Sequence, residues 1–154
     1  MVKGIMRTDD STAQLFLRLA LGVVIFPHGA QKVLGWFGGP GFEQTLQQFA
    51  AMGFPPWATI VLMAIELAGS VLLILGILTR LWALGIGTTI TICMLKYHVA
   101  NGFFMNWFGQ KQGEGFEYHL LVIGIVIALL IRGGGALSID RLWTADIGRT
   151  VVPG

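Results

Sequence analysis

Residues 15–36, LFLRLALGVVIFPHGAQKVLGW, are apolar enough to cross a bilayer and yet carry Arg18, His28 and Lys32. About 22 residues at 1.5 Å each give roughly 33 Å, against a hydrocarbon core of about 30 Å. Basic side chains at such depth need partners, water or a path to the headgroups, and by default they mark a functional site. Any fold of this chain has to answer that demand. Arg18, near one end, can extend its guanidinium back to the interface. His28 and Lys32 are four residues apart, so they share a face towards the other end. Pro27 lacks an amide hydrogen and releases the carbonyl four residues earlier, which predicts a bend just before His28.

The rest of the 154-residue chain matches this first run. Its mean hydropathy of +0.74 and its 55% hydrophobic and 12% charged residues exclude an ordinary soluble globule. The formal charge of +2 is scattered rather than gathered in a basic stripe, so nucleic acid is not an expected partner. Cys93 is the single cysteine and lies in an apolar run. On that count, intrachain disulfides, CxxC redox chemistry, iron–sulfur ligation and cysteine-based zinc sites are not expected. The first apolar segment is too long for a signal h-region and has no A-x-A site, so it reads as retained.

Four spans are expected, at about 15–36, 57–78, 81–101 and 116–132, within a single domain over 1–154. FGGPG (37–41) marks a loop, and the spacing of Phe42, Leu46 and Phe49 predicts a short helix in the membrane interface. Pro55-Pro56 turns the chain into the second span, and Thr79-Arg80 makes a turn so short that the third returns antiparallel beside it. The fourth has the shortest wholly apolar part. The predicted fold class is therefore all-α: an integral membrane four-helix bundle with one interfacial helix in the first outer loop. Lys3, Arg7, Arg80, Arg132, Arg141 and Arg149 fall on the side of the termini, which predicts cytoplasmic termini and outward-facing longer loops.

Counting helical rise from each span end places Glu66 near the midplane, and His28, His98 and Glu117 in the outer half. Each span thus contributes one titratable residue to that half, which predicts a shared polar pocket. Thr88, Thr91, Leu95 and His98 fall on one α-helical face, so that stripe should point inward. Glu117 and His119 are about 200° apart, so only one can face the pocket fully. Glu66 must be neutral, bonded for instance to Thr88 or Thr91, or ionised and paired with Lys32 or Arg18. A purely structural network of such pairs would also satisfy these groups. Haem between His28 and His98 is geometrically conceivable, but no haem-attachment motif is present.

These residues, in order, resemble the DoxX family of small bacterial membrane proteins. The resemblance is carried by H-G-A-Q-K (28–32), G-G-P-G (38–41), Pro55-Pro56, Glu66 with Gly69, and G-I-L-T-R (76–80). It continues through H-V-A-N-G-F-F (98–104), Glu117-Tyr118 and G-G-A-L-S-I-D (134–140), covering about residues 15–142. Arg18, His28, Lys32, Glu66, Arg80, His98, Asn101 and Glu117 match family-typical polar positions, whereas Lys96 and His119 look less typical. The resemblance implies a four-span protein of the bacterial inner membrane. It also implies a link to redox or sulfur metabolism, since the family name derives from a membrane subunit of a thiosulfate–quinone oxidoreductase.

Two functions from different classes follow. In the first, the chain is a quinone-reactive or redox-associated membrane subunit. His28, Glu66 and His98 would deliver protons, Arg18 and Lys32 would steady the anionic intermediate, and Asn101 and Glu117 would complete the ligand site. The aromatics of 102–108 would cover its mouth. Lacking a flavin, haem or iron–sulfur motif, such a subunit would draw electrons from a redox protein partner. In the second, the chain is a non-catalytic membrane module that binds a small hydrophobic ligand, a protein partner or a metal, the last through His28, His98 and Glu66. A homo-oligomer is compatible with either.

Overall fold

The computed structural model describes Met6 and residues 8–149, with the side chains of 145–149 excepted; Lys3, Arg7 and the Arg149 side chain lie outside the described residues. Among the described residues the protein is helical and has no strand. Helix α1 is Thr12–Leu34, and after a single 3-10 turn α2 spans Gly41–Ala51. The long helices α3 (Pro56–Leu75) and α4 (Thr79–Asn101) follow, then α5 (Glu117–Arg132) and α6 (Ile139–Arg149). Three of them, α1, α3 and α4, are long and apolar enough to cross a membrane. At 16 residues, or roughly 24 Å, α5 is shorter than a full crossing but packs as the fourth member of the bundle.

Small and branched residues let these helices close on one another. Leu21 and Ile25 of α1, Leu73 of α3, Ala83 and Ile86 of α4, and Val122, Val126 and Leu129 of α5 form the buried core. The tightest crossing is at Gly29, where a Cβ would collide with the backbone of Glu66 and Leu67. Gly87 plays the same part between α4 and α5, against Val126. Gly124, by contrast, faces open space. Helix α1 continues through Pro27, and α2 docks against its end through the buried Thr45 hydroxyl, 3.0 Å from the Lys32 carbonyl.

Two helices widen locally. Ile65–Gly69 in α3 and Met94–His98 in α4 are π-helical turns, in which hydrogen bonds close over five residues instead of four. Each shifts the face presented by everything beyond it. The predicted stripe on α4 is broken within the second of these turns: Thr88 and His98 border the cavity described below, while Leu95 is exposed.

At the end of the bundle where α1 begins and α6 lies, polar groups are consumed by the fold itself. The Arg18 guanidinium, 1% exposed, donates to the carbonyls of Ile74 (2.9 Å), Ala136 (3.2 Å) and Leu137 (3.2 Å). The Asp140 carboxylate accepts from Leu78 N (2.7 Å) and Thr79 N (2.8 Å), capping α4, while its own amide donates to Gly76 O (2.9 Å). Gly76 adopts φ +69° there, and its αL conformation ends α3. Arg80 donates to Leu130 O (2.7 Å) and Ile131 O (3.0 Å), satisfying carbonyls left open at the end of α5. The G-I-L-T-R and A-L-S-I-D segments therefore form one clasp.

The Gly29 crossing yields a direct prediction. Gly29→Ala forces α1 away from α3 and should destabilise the protein by about 1–3 kcal/mol, as overpacking does elsewhere. Gly124→Ala, which meets no atom within 4 Å, should leave the melting temperature in detergent within a degree or two of wild type, roughly.

Candidate functional site

Towards the opposite end, the gap between α1, α3, α4 and α5 opens into a cavity of about 1010 Å³. The π-turn of α3 points Glu66 into it, and the Gly29 crossing brings α1 close enough for Lys32 to reach across. Lys32 Nζ lies 2.7 Å from Glu66 Oε2, with both side chains shielded from solvent for more than three-quarters of their surface. Glu66 is thus a paired carboxyl group: Lys32 is its partner, and Arg18 is committed to carbonyls at the other end. The hydroxyls of Thr88 and Thr91 donate to backbone carbonyls of their own helix, so neither holds the carboxyl. Lys96 does not enter the pair; its ammonium sits 4.3 Å over the Phe54 ring.

His28, Lys32, Glu66 and His98 all border the cavity. Asn101 and Glu117 do not. Asn101 Nδ2 donates to the carbonyls of Tyr97 (3.0 Å) and Glu114 (3.1 Å). Glu117 Oε1 accepts from Met105 N (2.9 Å) and Trp107 Nε1 (3.3 Å), so its carboxylate folds the second long loop. Of the two residues competing for that helix face, His119 points inward: it is 4% exposed and lines the cavity with Tyr118. The loop covers the cavity with Met105 and Glu114, whereas Trp107 and Phe108 are turned outward.

The walls are otherwise apolar. Trp57 and Val61 of α3 and Leu81, Leu84 and Ile92 of α4 border the cavity and are also exposed on the bundle surface, so it opens sideways between these two helices. A lipid-soluble molecule can enter through such a slot without crossing water. Its lining includes three imidazoles, two phenols and a charge pair.

Cys93 is a cavity residue that the sequence reading does not anticipate, whereas His119 is one side of its choice between Glu117 and His119. Cys93 and His119 lie beside His98, and one ligand atom from each falls within 4.8 Å of the others. His28 and Glu66 are not part of this group, so the set His28, His98 and Glu66 is not assembled. A single cysteine excludes metal sites that need several thiolates; it leaves open one thiolate among imidazoles.

The ion pair can be measured. Glu66→Gln leaves the Lys32 ammonium facing apolar walls, and should destabilise by up to about 3–5 kcal/mol. Combining it with Lys32→Gln should restore part of that loss, giving a double-mutant coupling of about 1–3 kcal/mol in detergent melts. Additive effects would mean that the two groups are independent.

Comparison with known proteins agrees with this architecture. The DoxX family model matches residues 13–99. "Putative oxidoreductase CatD" of Bacillus subtilis (strain 168) is 31% identical over 126 residues, covering 82% of this chain and 83% of its own. Two proteins of Escherichia coli (strain K12) are also similar. Inner membrane protein YphA is 28% identical, with 82% of this chain and 87% of its own covered, and inner membrane protein YqjF is 28% identical, with 89% and 96% covered. No solved structure matches. With the family model covering more than half its length and a relative above 30% identity along most of it, this chain belongs to the DoxX family.

Proposed function

We propose that the protein is a quinone-reactive, redox-associated membrane subunit whose cavity holds the quinone head group. The observation that carries this reading is the shape and chemistry of the cavity: an apolar slot open to the bilayer between α3 and α4, ending on titratable side chains. Quinone reduction adds two electrons and two protons, and the protons must reach two carbonyl oxygens inside an apolar site. His28, exposed and bordering the cavity, is placed to relay them one after the other. Lys32, held by Glu66, supplies a fixed positive charge near any oxyanion that forms. Electrons come from a protein partner, because the chain has no haem-attachment, flavin or iron–sulfur motif. The name of the Bacillus relative supports a redox role, and the names of the two Escherichia coli relatives support residence in the inner membrane. Both termini lie in the cytoplasm on this reading, consistent with the basic residues at their end of the bundle and with the basic-residue rule.

Reconstitution in nanodiscs tests it. A short-chain ubiquinone or menaquinone should quench the fluorescence of Trp57 and Trp82 with a micromolar Kd. His28→Gln should weaken binding at least tenfold, about 1.4 kcal/mol, with the melting temperature unchanged. Protein that binds no quinone would overturn the proposal, and binding of apolar molecules regardless of a quinone ring would identify a non-catalytic module instead.

A further inference from the structure

We propose that Cys93, His98 and His119 form a metal site, one that takes a single borderline-soft divalent ion of the zinc class and leaves a fourth coordination position facing the cavity. The π-turn makes the set. Residues five apart on an α-helix lie about 140° from one another at 3.6 residues per turn, so Cys93 and His98 would diverge. Across Met94–His98, where the turn closes over five residues, they stack on one face. Helix α5 then brings His119 against them, its ring 4.2 Å from that of His98.

The side chains are prepared as ligands. His98 Nδ1 lies 2.9 Å from the Glu114 carbonyl, which can only accept. The proton is therefore on Nδ1, and Nε2 keeps its lone pair; a carbonyl on the far nitrogen is the usual second partner of a metal-bound imidazole. His119 is 4% exposed, yet its Nδ1 is buried with no hydrogen-bond partner. A buried polar nitrogen without a partner is costly, and a coordinated ion beside the neighbouring ring and thiol relieves it. One ligand atom from each residue lies within 4.8 Å of the other two, and a tetrahedral zinc centre asks for about 3.5 Å between ligands. Small side-chain rotations close that difference. All three residues border the cavity, so a ligand oxygen there could take the open position and be polarised by the ion. The lone cysteine thus acts as the soft donor that favours zinc over magnesium or calcium.

The test uses the full chain in detergent, stripped with a chelator and free of quinone, so that its outcome is independent of quinone binding. Titration with Co²⁺ should give one ion per chain, with the near-ultraviolet thiolate-to-cobalt charge-transfer band and visible bands of a tetrahedral site. Zn²⁺ should displace it. Cys93→Ser should abolish the charge-transfer band, and both Cys93→Ser and His119→Gln should weaken binding at least tenfold, while His28→Gln leaves it unchanged. Wild-type protein supplies a measurement free of folding defects: Zn²⁺ should protect Cys93 from a small maleimide, and magnesium should not. Absence of both the cobalt–thiolate band and the zinc protection would overturn the proposal. Full-strength binding by a folded Cys93→Ser variant, or equal loss in His28→Gln, would do the same.

Discussion

The charge pair between Lys32 and Glu66 is the interaction on which the working half of the molecule depends. A carboxylate in the middle of an apolar helix is tolerable only with a cation at hydrogen-bond distance, and the cation has to come from another helix. That requirement fixes how α1 and α3 approach. Gly29 removes the side chain that would hold them apart, and the π-turn of α3 rotates Glu66 towards the gap. Once these are in place, α4 and α5 close the other walls, and a cavity with one polar end remains. The geometry of the pocket is thus a by-product of satisfying one charge.

Much of this was legible in the sequence because membrane helices leave strong marks. Apolar runs located the long helices to within a few residues, and the spacing of Phe42, Leu46 and Phe49 announced α2. His28, Lys32 and Glu66 stood out as polar residues in apolar surroundings, and all three border the cavity. What periodicity could not supply was the π-turns, since a count at 3.6 residues per turn has no sign for one extra residue in a turn. The misplacements follow from this and from side-chain direction. Leu95 was assigned inward by the count and is not, and Cys93 read as part of an apolar run until the widened turn set it beside His98. Glu117 and His119 posed a two-way choice of helix rotation that only packing against the loop decides.

The resemblance in the sequence pointed to Arg18 and to the 76–80 and 134–140 segments as strongly as to His28 or Glu66. The structure divides these into two groups with different duties. One group lines a cavity; the other bonds backbone groups at the opposite end, where Arg18, Asp140 and Arg80 supply caps that helices meeting in lipid cannot obtain from water. A polar residue in a membrane helix therefore marks either chemistry or carpentry, and its hydrogen-bond partners tell which.

The clasp around Arg18 also has a consequence for the order of synthesis. Its guanidinium leaves the ribosome well before two of its three carbonyl partners, Ala136 and Leu137, which follow 118 and 119 residues later. Until then α1 sits in the membrane with an incompletely satisfied cation that has to stay near the headgroups. The 134–140 segment releases it, so the bundle locks only once that segment has been made and inserted. A nascent chain that stops short of it keeps its first helix shallow and loosely held.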